Sequence, residues 1–335
     1  MRSPIRVLDL FCGAGGSSCG ARQAGAEIIG AVDFWSAAAE TFGLNFPEAR
    51  RWCMPIQRLS GEAVARELGR VDLILASPEC TNHTFAKGNR RVGEEQEASR
   101  RTAFEVLRFV RALQPRWVVV ENVVSMRNWS EYPKWKTRLE NLGYHIAETV
   151  LDSQRFGVAQ TRRRLFIVGG REAMPPLPQP SRKKSPSVSQ ILQPNGTKDT
   201  FSYSMTPLYQ ASRPRAPATL DRAQRAISTL GTDSPFLIVY YGTDAAGGWQ
   251  RIDRPLRTIT TLDRFALVRP SPSGHVMRML QPPELASAMG FPPNYQWPDV
   301  TRRERIKLIG NAVSPPVACA IVSALIARAE ELPAR

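Results

Sequence analysis

Cysteine and histidine are scarce in this chain, five and three among 335 residues. The cysteines are odd in number and follow no framework spacing, which argues against a disulfide scaffold and for a reducing compartment. Too few Cys and His surround Cys80-x-x-His83 to complete a four-ligand metal site, so none is expected there. No apolar run approaches the roughly 18 residues that a membrane span needs. Asp9 interrupts the N-terminal apolar stretch, so no secretory signal is expected. No internal repeat is visible. Acidic residues are outnumbered, 30 Asp+Glu against 45 Lys+Arg, for a formal net charge of +15. Such an excess points to an anionic partner, most commonly nucleic acid; a solvated basic surface is the alternative. With 42% apolar and 22% charged residues the chain is not wholesale disordered, and its length suits about two domains.

Short apolar runs alternate with amphipathic stretches over residues 5–170. Strands are expected at 5–10, 27–33, 71–76, 117–120 and 165–168. Helices are expected after the Gly-rich turn, at 35–45, and at 99–113, where Ala103, Val106, Leu107, Val110 and Leu113 follow helical spacing. This rhythm predicts an α/β fold with a parallel-rich, doubly wound sheet covered on both faces. The composition changes at Arg171. Pro175-Pro176-Leu177-Pro178-Gln179-Pro180 and Arg182-Lys183-Lys184 read as a linker or extended arm. Strand signals return at 236–241 and 265–268, and a helix signal fills 312–329. The division expected is 1–170, an inserted 171–253, and a return to the first domain over 254–335.

Four places carry chemistry. Phe11-Cys12-Gly13-Ala14-Gly15-Gly16 joins the first strand to a helix, and Asp33 ends the next strand about 20 residues on, as in nucleotide-binding folds. A tight structural turn would look the same. Ser18 stands where a dehydrogenase fingerprint needs its third glycine, so an adenosine site without a pyrophosphate fits at least as well. Phe34 suits either stacking on an adenine or core packing. Ser77-Pro78-Glu79-Cys80 follows the 71–76 strand, where ligand chemistry gathers in parallel sheets; Cys80 there is a nucleophile or an inert small residue. Glu121-Asn122 follows the 117–120 strand and is a candidate proton-sharing partner or a surface cap. In Gln160-Thr161-Arg162-Arg163-Arg164, alternation puts Arg162 and Arg164 on one strand face, for an oxygen-bearing ligand or for solvent.

In this order, and with Gly310-Asn311-Ala312-Val313 near the end, these residues resemble the DNA cytosine-5 methyltransferase family. Arg254-Pro255-Leu256-Arg257-Thr258-Ile259-Thr260 and the stretch from Glu284 to Gly290-Phe291-Pro292 look like that family's later motifs. The match covers about 5–170 and 254–330, and leaves 171–253 for the family's target-recognition domain. The resemblance implies a Rossmann-like methyltransferase sheet and S-adenosyl-L-methionine as cofactor, held by Phe11, Gly13, Gly15, Gly16, Asp33, Phe34, Pro78, Asn311 and Val313. It implies Cys80 as nucleophile on a flipped cytosine, Glu121 at the ring's N3 and N4, Arg164 at O2, and Arg162 and Asn122 as braces. Residues 81–101 look like the family's closing loop, with Lys87, Arg90 and Arg91 toward DNA. Arg213 and Arg215, with Arg222, Arg225 and Trp249, are further DNA candidates in the insert. Double-stranded DNA as partner, a restriction endonuclease in the same system, a monomer, and a cytoplasmic location in a prokaryote or phage host complete what the resemblance implies.

Two departures stand out. The family usually has two prolines before its cysteine and glutamine after it; here Glu79 and Thr81 stand instead. Glu79 is expected to face either the cofactor's sulfonium or the cytosine amino group. After the third strand the family commonly has an acid for the adenine amino group, whereas Cys53-Met54-Pro55-Ile56 has none. An RNA cytosine-5 methyltransferase and a DNA-binding protein with an inactive site are the competing readings. Residues 81–170 hold 16 basic and 9 acidic residues and residues 171–253 hold 10 and 6, so the charge excess is concentrated there.

Overall fold

The computed structural model describes residues 3–79, 94–181, 184–193, 204–210, 212, 214–242 and 247–331, with side chains from residue 101 in the stretch that opens at 94. Seven strands, β1 (Arg6–Leu10), β2 (Glu27–Asp33), β3 (Arg50–Cys53), β4 (Leu73–Ala76), β5 (Trp117–Asn122), β6 (His145–Asp152) and β7 (Arg163–Gly170), form one sheet in the order β3-β2-β1-β4-β5-β7-β6. The first five are parallel; β7 runs antiparallel to both β5 and β6. Between them come α1 (Gly16–Gln23), α2 (Ser36–Asn45), α3 (Gly61–Leu68), α4 (Glu94–Leu113) and α5 (Tyr132–Asn141). A second sheet has the order β10-β9-β11-β12-β8, built from β8 (Thr206–Pro207), β9 (Phe236–Val239), β10 (Trp249–Arg251), β11 (Phe265–Ser271) and β12 (Gly274–Met279). The remaining helices are α6 (Pro217–Leu230), α7 (Pro282–Met289), α8 (Arg302–Asn311) and α9 (Pro315–Glu331).

Alternation along the strands builds the main core. Val7, Leu73, Leu75, Trp117 and Val119 face one side, packed with Ala21 of α1, Phe42 of α2 and Ile321 and Leu325 of α9. Leu8, Leu10, Ile74, Val118 and Val120 face the other, against Val106 and Phe109 of α4 and Trp135 and Leu139 of α5. Burying a large apolar side chain contributes about 1.5–3 kcal/mol, so strands apolar on both faces are stable only when both are covered.

The second sheet uses its two faces differently. Phe236, Ile238, Ala266 and Val268 pack with Ala223 and Ala226 of α6. Leu237, Val239, Phe265 and Leu267 join the main core. β11 and β12 belong to this sheet although they lie past residue 253.

The helix expected over 312–329 begins only at Pro315, and residues 312–314 form a break after α8. Proline lacks the N–H that a continuing helix needs and suits a first turn, so Pro315-Pro316 starts a new helix. By length and composition, 302–331 contains an 18-residue window apolar enough to cross a membrane, with mean hydropathy 1.7, but 61% of that window is buried inside the protein. Its apolar character comes from α9, which packs along α1 as a core helix.

Candidate active site

Parallel strands all point their carboxyl ends to one edge, and the candidate residues collect there. β1 runs out into the Gly-rich turn, β2 into Asp33 and Phe34, β3 into Met54 and Pro55, and β4 into Pro78 and Glu79. β5 includes Glu121 and Asn122 as its last two residues. β7 is antiparallel, so its start reaches the same edge; the pairing of Glu121 with Phe166 and Asn122 with Leu165 brings Arg164 beside β5.

The Gly-rich turn is held in shape by backbone requirements. Gly13 and Gly15 have φ of +52° and +74°, and Phe11 itself adopts +60°. Left-handed backbone is easy for glycine and costly for phenylalanine, so the fold holds Phe11 there against its preference. At Gly16 the reason is contact: a Cβ would lie 2.1 Å from the Val313 carbonyl oxygen. Val313 therefore closes on the turn, and exposed Asn311 stands at the end of α8 just before it. The Tyr295 hydroxyl donates to the Ala14 carbonyl and tightens the same turn from behind.

Asp33 is fixed by two backbone donors. Gly13 N–H reaches one carboxylate oxygen at 2.8 Å and Trp35 N–H the other at 2.9 Å. Burial raises its pKa and the charge of Glu79 raises it further, while the two N–H groups pull it down. Asp33 opens on a cleft of about 190 Å³ lined by Phe11, Val32, Phe34, Met54, Pro55, Ile56, Gln57, Glu79 and Thr102. Phe34 is 61% exposed there, which overturns core packing for it. Gln57 was missed in the sequence. It directly follows the acid-free Met54-Pro55-Ile56 wall and brings a side-chain amide to the lining of the cleft.

The second half of the site is a set of braces. Asn122 donates to the Pro78 carbonyl at 3.1 Å and accepts from Val123 N–H at 2.8 Å, tying the β4 loop to β5. Arg164 Nε stands 3.1 Å from a Glu121 carboxylate oxygen. Burial pushes the Glu121 carboxyl up, against the pull of Arg164 and Arg162. Glu121 also lines one small cavity with Ser17 and Val313. Arg162 is 3% exposed and donates to the carbonyls of Ile259, Gly310 and Ala312 at 3.0–3.2 Å. Gln160, also buried, accepts from Ile259 N–H at 2.8 Å. Three segments far apart in sequence are thereby joined at the sheet edge.

Cys80, Lys87, Arg90, Arg91 and Arg213 lie outside the described residues. Arg215 donates to Thr206 Oγ1 at 2.7 Å and to the Pro207 carbonyl at 3.3 Å, holding β8 against the start of α6. Arg225 donates to the Gly247 carbonyl at 3.1 Å, and Arg222 lies over the Tyr240 ring. Gly247 and Gly248, with φ of +80° and +67°, make the turn into β10 and Trp249. Among the described residues no group of three His, Cys, Asp or Glu could hold a metal ion.

A family model for C-5 cytosine-specific DNA methylases matches residues 5–327. The chain belongs to that family. It is a methyltransferase; the family's reaction is methylation of cytosine at C5 in DNA, with S-adenosyl-L-methionine as methyl donor. The Type II methyltransferase M.HgiDI of Herpetosiphon aurantiacus is 28% identical over 96% of this chain and 94% of its own length. The Type II methyltransferase M.NgoPII of Neisseria gonorrhoeae is 22% identical over 96% of each. Among solved structures, the Entamoeba histolytica methyltransferase EhMeth superposes with a TM-score of 0.70 at 16% identity, covering 98% of this chain and 99% of that one. The S. pombe Dnmt2 methyltransferase gives 0.69 at 18% identity over 98% and 99%. Identities this low speak to the fold: a Rossmann-like methyltransferase sheet. The cleft at Asp33 suits this family's methyl donor chemically, with aromatic and aliphatic walls for a purine, acceptors for a diol and negative charge for a sulfonium.

Proposed function

We propose that this methyltransferase modifies C5 of a flipped-out cytosine in duplex DNA through a covalent bond from Cys80 to C6. The observation that carries this reading is the Arg164–Glu121 contact at 3.1 Å, on the sheet edge to which Asn122 ties the Pro78 carbonyl two residues before Cys80. Phe11, Gly13, Gly15, Gly16, Asp33, Phe34, Pro78, Asn311 and Val313 hold the cofactor, with Asp33 toward the ribose and Phe34 toward the adenine. Gln57 offers its amide where the family's adenine-binding acid is missing. S-adenosyl-L-methionine, when bound, supplies an electrophilic methyl group.

Cytosine C5 is a poor nucleophile while the ring is aromatic. Addition of the Cys80 thiolate at C6 breaks that aromaticity and pushes an electron pair toward C5 as N3 takes a proton from Glu121. A carboxyl whose pKa is raised by burial holds a proton more readily than an exposed one, which suits proton sharing with the ring. Arg164 holds Glu121 and reaches O2, and Arg162 and Asn122 keep the two loops in register. Once C5 has taken the methyl group, a base removes the C5 proton, the returning electron pair expels the thiolate, and N3 gives its proton back to Glu121, which restores the neutral ring. The ring face must be accessible for all of this, so the base leaves the helix stack.

The second sheet and the insert 171–253 read the target, with Arg213, Arg215, Lys87, Arg90 and Arg91 toward the duplex. A restriction endonuclease of the same specificity, a monomeric state and a cytoplasmic location complete the proposal; the Type II names of the relatives support the first. Incubation with labelled S-adenosyl-L-methionine and duplex DNA, against transfer RNA as control, should yield 5-methylcytosine in the DNA alone by nucleoside mass spectrometry. Undiminished product from Cys80→Ala, or no covalent trap on a 5-fluorocytosine duplex that carries the target site, would overturn the mechanism.

A further inference from the structure

A further cleft, of about 410 Å³, is lined by Gln154, Lys184, Ser185, Asp253, Arg254 and Pro255. Gln154 follows β6, the strand beyond β7 in the main sheet. β6 runs parallel to β5, because both are antiparallel to β7 between them, so its carboxyl end reaches the edge that carries Glu121. Asp152, its last residue, pairs with Arg163, the neighbour of Arg164. The cleft therefore lies on the far side of Glu121 from the cofactor cleft, about 10 Å along the edge by two strand spacings.

Its walls are anchored to one another. Ser185 Oγ donates to the Gln154 carbonyl at 2.7 Å, and Val188 N–H to the Arg254 carbonyl at 2.9 Å. Thr161 N–H donates to the Leu256 carbonyl at 2.7 Å, which ties this stretch to the motif that carries Arg162 and Arg164. Arg251 takes both oxygens of Asp253 at 2.8–3.1 Å. These bonds, with Arg254 acting at longer range, hold the Asp253 carboxyl below its ordinary value. Three cations thus meet one carboxylate here, and two positive charges remain over. They are borne at the cleft by the exposed side chains of Lys184 and Arg254.

Resting on the reading of this chain as a duplex-DNA enzyme, we propose that Lys184 and Arg254 clamp a backbone phosphate that flanks the flipped cytosine. A strand advances about 3.4 Å per nucleotide along the helix axis, so 10 Å corresponds to about three nucleotides from the base held at Glu121. Arginine offers a planar fork and lysine a point charge, and the oxygens of one phosphate accept from both. Such a contact fixes the position of the duplex and carries no sequence information. It holds the duplex while the base leaves the stack.

Fluorescence anisotropy of a labelled duplex, titrated with the full chain over a range of salt, tests this. Lys184→Ala and Arg254→Ala should each weaken binding about two- to fivefold, the effect of one exposed charge pair. The loss should be alike for duplexes of unrelated sequence. The double variant should flatten the slope of log affinity against log salt by about 0.9, the contribution of one phosphate. Lys184→Arg with Arg254→Lys keeps both charges and should keep the slope. Affinity for S-adenosyl-L-methionine should hold in every variant, which separates a lost contact from lost folding. An unchanged slope in variants that still bind the cofactor overturns the inference. So does loss of inorganic phosphate binding while duplex binding stays intact, since the cleft is then a small-anion site. Failure of the unsubstituted protein to bind any duplex would instead overturn the duplex-DNA reading itself.

Discussion

Burial of Asp9 in β1, with a further push from the charge of Asp33, raises its carboxyl from 3.8 to about 7 against the pull of the Ser18 hydroxyl, which donates to one oxygen at 2.6 Å; among the described residues the other oxygen has no partner. The folded protein thus holds a proton that the unfolded chain releases near pH 4. Stability from this group is complete below the unfolded value and is lost as pH rises through about 7, by at most about 4 kcal/mol. Asp9→Asn keeps an acceptor for Ser18 and removes the titration. Denaturant unfolding from pH 4 to 8 should therefore show the variant gaining on the original protein as pH rises, and parallel curves would rule this out. Nothing in the sequence distinguishes Asp9 from any strand aspartate. Arg162 is different: its motif drew attention to it, but not its bonds to Ile259, Gly310 and Ala312, which lie about 100 and 150 residues downstream.

Elements meet here through positions that tolerate little. Gly16 opens α1 directly under Val313, and the Cβ of Gly16→Ala would enter the Val313 carbonyl oxygen. Backbone on one side and a packed helix on the other leave no easy relief. Overpacking of this kind costs about 1–3 kcal/mol, so thermal unfolding should shift downward and cofactor affinity should fall with it. Unchanged affinity would mean that the turn and the 310–313 segment are not coupled. Between β12 and α7, the buried Arg278–Glu284 pair makes two short bonds, and Glu284 also accepts from the backbone N–H of Gln281 and Gln193. Removing one partner from a buried pair costs about 3–5 kcal/mol because the other is left charged and unpaired. Glu284→Gln should show a loss of that order in denaturant unfolding, with part of it recovered when Arg278→Met is added. Neither contact was legible beforehand, since one depends on the α1–α9 approach and the other on which sheet β12 joins.

For the whole molecule, the net charge of +15 argues that DNA affinity is set largely by phosphate contacts. Binding measured by fluorescence anisotropy should fall steeply with salt, by about a thousandfold or more between 50 and 200 mM if six phosphates are neutralised. A flat salt dependence would contradict that origin. The second sheet turns Leu237, Val239, Phe265 and Leu267 into the main core. The second sheet is thereby fastened to the main core by burial. Substitutions on that face should affect stability and DNA recognition together.

The sequence by itself determined β1, β2, β4, β5 and β7 and the helices α1, α2 and α4, because side-chain period follows directly from backbone geometry; α3, α5 and β6 emerged only in the structure. It also determined the order of the motifs and the sheet edge to which parallel strands must deliver them. Tertiary structure alone decided the rest, for reasons of distance along the chain. Phe34 is left open to the cleft and not packed, Glu79 lies with Asp33 in one cleft, and Gln57 extends the acid-free wall. Arg164 reaches Glu121 only because β7 runs backward beside β5. The membership of β11 and β12 in the second sheet rests on pairing with β9 and with each other. Local propensity specifies that a strand forms; only pairing and burial across the chain specify its neighbour.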